Sequence, residues 1–230
     1  MMYRLASALV IAAGVHACGA PLVSGDASSD AASTDAVSVS DAASDRAADA
    51  ASDGGAIAAL SQQESDDLRF LREEEKLARD VYTALAPQVA MVFTNIAMSE
   101  QRHMDQVLGL LTTYGLADPA AGMAAGAFAN PTLQALSTTL VQRGSTSANA
   151  ALAVGAEIEE LDIADIRRLR THTTRPDIIA VYDSLELGSR NHLRTFYSRI
   201  VAAGSTYTPT HLDQASFDAI VNSPREMGGN

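Results

Sequence analysis

Six side chains of this sequence have types and spacings suited to holding a metal: Glu75, Glu100, His103, Glu157, Glu160 and His192. The pattern is plainest in NIAMSEQRHMDQVLGLLTTYG, residues 95–115. At about 100° per residue, Ile96, Met104, Val107, Leu111 and Tyr114 fall on one helical face, and Glu100 and His103 fall on that same face. Either polar side chain would be costly to bury alone. Four carboxylates and two imidazoles that meet in a core share their charge with a cation, and hard oxygen ligands with imidazole suit iron or manganese.

The elements that must position them are helices. SQQE at 61–64 forms a capping box for a helix that runs to Leu85, with Pro87 as its stop. A second covers about Thr94 to Tyr114, ended by Gly115. After a Gly/Ala/Pro-rich connection comes a short amphipathic helix, about Thr132 to Gln142, then a long one from Ser147 to Arg170. Pro176 opens the fourth long helix, which continues to about Ala203 with Gly204 as its stop, and a short helix spans about Asp213 to Val221. No segment alternates as a strand would. Four long helices with one long crossover between the second and third match a ferritin-like four-helix bundle, with a short crossover helix and a C-terminal capping helix.

Each long helix then carries acid or imidazole on its apolar stripe. Glu75 lies among Leu68, Leu71, Ala78 and Tyr82; Glu74 turns toward Phe70, Leu77 and Val81, and Glu73 toward solvent. Glu157 and Glu160 lie among Ala150, Ala153, Val154, Leu161 and Ala164, with Glu159 on the opposite side. His192 lies among Ile178, Val181, Leu185, Gly188, Phe196 and Ala203. Taken singly, each has an ordinary explanation: Glu75 has the i,i+4 spacing to pair with Arg79, EIEELD reads as an acidic surface, and His192 can bond a carbonyl. The coincidence on four helices favours a metal site, with an internal ion-pair network as the alternative.

The rest of the chain suggests where such a domain works. The 230 residues carry 16 Lys and Arg against 28 Asp and Glu, a net charge of −12 that argues against a nucleic-acid partner. Seven of those acids lie between Gly25 and Gly55, in an Ala/Ser/Asp-rich run with no aromatic residue. Its composition is that of a disordered tether. Ahead of it, one Arg precedes an apolar run from Leu5 to Ala17, too short to span a bilayer and suited to a secretory signal. Cys18, the single cysteine, follows VHA as in a bacterial lipoprotein signal, where the Cys is lipidated; ordinary cleavage near VHA or CGA is the alternative. The expected organisation is thus a signal peptide (1–17), a tether (18–56), a helical domain (57–222) and a flexible tail (223–230). The protein would be lipid-anchored in the cell envelope, or else secreted or periplasmic. One cysteine excludes an internal disulfide and any Cys-based zinc or iron–sulfur site.

EEEKLARDVY, NIAMSEQRHM, GAEIEELDI and GSRNHLRTF, in this order over roughly residues 61–220, resemble the DUF2202 family, a ferritin-like group. Within the wider superfamily the motifs are similar to those of rubrerythrin. Glu75, Ala78, Arg79 and Tyr82 match its first-helix pattern, Glu100 and His103 its second-helix E-x-x-H, and Glu157 and Glu160 the paired acids of its third. The fourth helix keeps His192 but has Ser189 where that family has a Glu. The resemblance implies Glu75 and Glu160 as bridging carboxylates, and Glu100 with His103 and Ser189 with His192 as terminal pairs. Because Ser is a poor iron ligand, the second metal would depend on Glu157 as a terminal carboxylate, or else bind weakly. It further implies a di-iron or manganese centre reacting with peroxide or oxygen, with Tyr82 donating an electron or hydrogen bond. Rubrerythrin's electron-delivering rubredoxin part needs four Cys, so an external electron donor would be required. Three functions stay open: a redox enzyme, an iron-handling protein without turnover, and a metal-free helical module with a structural or partner role, including a homodimer.

Overall fold

The protein is described from a computed structural model over residues 58–227. Its helices are α1 (Gln62–Leu85), α2 (Ala90–Thr113), α3 (Pro131–Gly144), α4 (Ala148–Arg170), α5 (Pro176–Ala202) and α6 (Gln214–Val221), with no strand among the described residues. The expected signal peptide, lipidated Cys18 and tether lie outside the described residues.

Most helix ends are written in the sequence. The Ser61 hydroxyl accepts from the Glu64 amide while the Glu64 carboxylate accepts from the Ser61 amide at 2.8 Å, which closes the capping box of α1. Asn130, Ser147 and Asp213 cap α3, α4 and α6 through their side chains, and Pro131 and Pro176 occupy first-turn positions. Gly115 and Gly204 follow α2 and α5 at φ 64° and 70°, a conformation that L side chains rarely adopt. The start of α2 differs from expectation. It begins at Ala90 rather than Thr94, because its N-cap, Val89, offers no side-chain cap to announce it, and burial of Val92 and Phe93 holds that first turn.

The helices form a bundle of two pairs. α1 packs along α2 and α4 along α5; the pairs meet through α1 with α4 and α2 with α5, while α3 leans on α1 and α4, and α6 on α5. Two apolar clusters result. One gathers Leu77, Val81, Phe93, Ile96, Leu152, Ile158, Leu193 and Phe196; the other gathers Leu68, Leu71, Val107, Leu111, Ile166, Ile178 and Leu185. Between them, at residues 74–75, 100–103, 159–162 and 189–192, lies a polar layer. It interrupts what would otherwise be a continuous core.

Every residue of α1 from Leu71 to Ala78 is buried, including Arg72, Glu73, Glu74, Glu75 and Lys76. Glu73, expected to face solvent, is instead covered by the crossover and accepts from the amides of Ala129 (2.5 Å) and Asn130. Arg72 clasps the Asp118 carboxylate and the Met104 carbonyl, and Lys76 reaches Asp80 and the carbonyls of Ala124 and Ala127. The crossover after α2 therefore folds onto charged groups of α1. Residues 223–226, expected in the flexible tail, are tied back to α5: the Glu226 carboxylate accepts from Arg190 and Arg194.

Candidate metal centre

In the polar layer Glu100 of α2 stands between two imidazoles. One carboxylate oxygen lies 2.7 Å from His103 Nδ1, and the other lies 2.8 Å from His192 Nδ1 on α5. Glu75 of α1 completes the first side, 3.3 Å from His103 Nδ1. Glu159 of α4 completes the second, 3.5 Å from His192 Nδ1. The result is two triads with one shared member: Glu75, Glu100 and His103, and Glu100, Glu159 and His192. The two imidazoles stack with centroids 5.7 Å apart.

Close approach here does not mean hydrogen bonding. Despite the 2.8 Å separation, Glu100 Oε1 and His192 Nδ1 are both without a hydrogen-bond partner, as is Glu75 Oε1. Their lone pairs are not aimed at one another's protons. Buried polar atoms in folded proteins are normally satisfied. Here three such atoms are crowded together and left unpartnered.

The surroundings hold the set in place. Tyr82 donates to Glu159 Oε1 at 2.6 Å, and its ring packs against Phe93 and Phe196 at 5.6 and 5.4 Å. The His103 ring lies over Gly188, where an added Cβ would come within 2.5 Å of the imidazole. Ser189, fully buried, donates to Asp162, whose other oxygen is unpartnered. Beside them Glu74 has both oxygens without a partner.

Burial and mutual charge set the ionisation of this layer. Burial raises Glu75 to about 7, moderated by His103. Burial would also raise Glu100, but the two flanking imidazoles outweigh it and hold that carboxyl well below its ordinary range. Burial would lower His192, yet Glu100 and Glu159 bring it to about 10, and His103 is likewise raised by Glu100 and Glu75. Glu74 and Asp162 are raised first by burial and then by neighbouring carboxylates, and Glu159 is raised by burial against the opposing pull of His192. The layer thus gathers more carboxyl groups than imidazoles, and burial favours the neutral form of most of those carboxyls.

Of the six residues expected to converge, the structure brings together Glu75, Glu100, His103 and His192 and places the other two elsewhere. Glu157 is half-buried at the edge of the bundle, paired with Arg143 of α3. Glu160 is buried but turned away, and one oxygen accepts from three successive amides, those of Thr210, His211 and Leu212. Glu159, expected to point outward, takes the inner position. The expected bridging pair Glu75 and Glu160 is therefore not formed, and the carboxylate between the two sides is Glu100. Asp162 was missed altogether. Spacing gave no signal to separate the two pairs, since Glu159 and Asp162 have the same i,i+3 interval as Glu157 and Glu160. His172 pairs with Asp67 at 2.8 Å, away from this layer.

A bundle with carboxylates and imidazoles from four helices in its mid-layer defines a carboxylate–histidine helical protein. This chain belongs to the family described as an uncharacterized protein domain (DUF2202), whose model matches residues 64–224. It is 44% identical over 172 residues to the uncharacterized protein MJ0754 of Methanocaldococcus jannaschii, a match covering 74% of this chain and 93% of the relative. It is also similar to the crystal structure of the hypothetical protein MJ0754 from Methanococcus jannaschii, with a TM-score of 0.72 and 42% identity over 74% of this chain and 98% of the other.

Proposed function

We propose that this protein is a ferritin-like metal-binding protein holding iron or manganese at two adjoining positions in its bundle. The observation that supports this most is the pair of triads sharing Glu100. Glu75, Glu100 and His103 would hold one ion, and Glu100, Glu159 and His192 the other. Asp162 lies close by on α4 and, oriented by the Ser189 hydroxyl, brings a further carboxylate to the layer in place of the Glu absent at 189. The donor set, carboxylate oxygen and imidazole nitrogen without thiolate, fits a hard to borderline divalent ion.

Bound iron or manganese would supply redox chemistry toward peroxide or oxygen, with electrons from an outside donor. The chain's own groups define the setting for it. Tyr82 fixes Glu159 through its hydroxyl, and the rings of Tyr82, Phe93 and Phe196 exclude water on that side. Glu75 and His192 must give up protons before they can serve as ligands, so metal uptake releases protons. With the N-terminal lipid anchor and tether proposed from the sequence, the domain would act at the cell envelope.

A second reading has its own support. Glu100 held ionised between two raised imidazoles is a balanced internal ion-pair network, able to persist without metal. Metal analysis of the purified protein separates the two. Stoichiometric iron or manganese, lost in Glu100→Ala and retained in Glu157→Ala, supports the metal reading. Equal and negligible content in the wild type and both variants supports the network.

A further inference from the structure

On the His192 side of the bundle a cleft of ≈ 560 Å³ opens between the start of α2, the middle of α5 and the segment after α6. Of the residues assembled around Glu100, only His192 lines it, so the cleft is an approach to the Glu100, Glu159 and His192 triad.

Its lining has one sign of charge. Arg102, Arg199 and Arg225 border it, together with Asn95, Ser99 and Thr195, and no Asp or Glu does. In a chain of net charge −12 that is unusual, and the arginines themselves are more unusual still. Among the described residues every other Lys and Arg is paired with a carboxylate: on α5 alone, Arg190 and Arg194 hold Glu226, and Arg190 also holds Glu186. Arg102, Arg199 and Arg225 make no ion pair and no side-chain hydrogen bond there. The three cations without a carboxylate all border one cleft. The first turn of α2, from Ala90, also reaches the cleft, and its N-cap Val89 leaves those amides without a side-chain cap.

We propose that this cleft binds a small, multiply charged oxyanion, bearing phosphate or carboxylate groups, and delivers it beside His192. Guanidinium forks bind both groups in bidentate fashion, and a wall of uniform sign at the mouth of a cleft concentrates such anions from solution. The uncapped amides of α2 add donors at one end. Delivery of the anion to a metal ion rests on the metal reading above; capture of the anion by the arginines does not.

The test is equilibrium binding of inorganic phosphate and, separately, of succinate to the purified full chain, with metal content measured on the same samples. The wild type should bind one of the two saturably, at one site per chain, more weakly as salt is raised. The triple variant Arg102→Ala/Arg199→Ala/Arg225→Ala should lose about tenfold or more in affinity, as expected where charge-assisted bonds are removed. Its helicity and metal content should match the wild type, because these exposed side chains support nothing else. Arg143→Ala, outside the cleft, should bind as the wild type does. The stronger of the two anions identifies the group recognised. Absence of saturable binding to both, or equal binding by the triple variant, overturns the proposal. A wild type without metal that still binds anion through the arginines overturns the metal reading alone.

Discussion

The charged residues of α1 divide into two populations one residue apart. Arg72, Glu73 and Lys76 face the crossover and are fully partnered by Asp118, Asp80, backbone amides and backbone carbonyls. Glu74 and Glu75 face the bundle's mid-layer and keep unpartnered oxygens, as do Glu100 and Asp162 beside them. Both sets are equally buried. Burial alone therefore does not mark a site. The charges that tie the crossover to α1 are matched by partners, whereas those of the mid-layer are crowded and keep open oxygens.

The largest expected effect breaks the open set at its shared member. Glu100→Ala should remove both metal positions at once, a loss in affinity exceeding the roughly 10–100-fold typical of outer partners of a metal site. Metal titration followed by mass spectrometry of the intact protein reads this directly. Lys76→Ala attacks the closed set instead. It leaves Asp80 to Arg79 and the Gly126 amide but strips the buried carbonyls of Ala124 and Ala127 of their donor, and should destabilise the protein by about 1–3 kcal/mol in denaturant unfolding. Metal stoichiometry of the fraction that stays folded should be unchanged. If Lys76→Ala abolished binding in a folded protein, the two populations would not be separate.

Gly188→Ala sharpens the comparison, because its methyl would press on His103 alone. It should cost about 1–3 kcal/mol from overpacking and weaken the Glu75–Glu100–His103 position more than the other. pH distinguishes the sets as well. Glu75 is raised from 4.5 to about 7 and His192 from 6.5 to about 10 in the metal-free fold. Their contributions to stability are complete below pH 4.5 and pH 6.5 respectively, and are lost as pH rises through about 7 and about 10. On the proposed metal reading a bound ion would replace those protons, so the rise in Tm on adding metal should grow between about pH 6 and 9. A shift that shrinks over that range would contradict the open set as the binding site. The smallest effect belongs to Glu157→Ala. This removes a half-exposed pair with Arg143 and should change stability by no more than about 0.5 kcal/mol, with metal content intact.

The same contrast explains what could be read in the sequence. Helix positions were legible because Ser61, Ser147, Asp213 and Pro176 mark them chemically. Glu100, His103 and His192 were legible because α2 and α5 have a clear difference between their faces. On α4 that difference fails. Ala148, Ala150, Ala151, Ala153 and Ala156 lie on every side, so the apolar stripe has no sharp phase, and the acids chosen, Glu157 and Glu160, flank the true one, Glu159. Packing of α4 against α1, α3 and α5 at once buries more than one of its faces. Glu73 was misread for a related reason: the segment that covers it lies more than fifty residues away, and no local pattern announces that contact.

The misread Glu160 has a consequence of its own. Its carboxylate gathers three consecutive amides of the return segment ahead of α6 into one anchorage deep on α4. Peeling that segment off would leave a buried carboxylate with nothing to compensate it, so detachment of the C-terminal helix carries a penalty set inside the bundle rather than at its surface. The amides of Thr210, His211 and Leu212 should then exchange with solvent deuterium far more slowly than the exposure of Thr210 and His211 would suggest, keeping pace with the interior of α4. A protease acting on the native chain would find this irregular stretch closed to it, although it belongs to no helix.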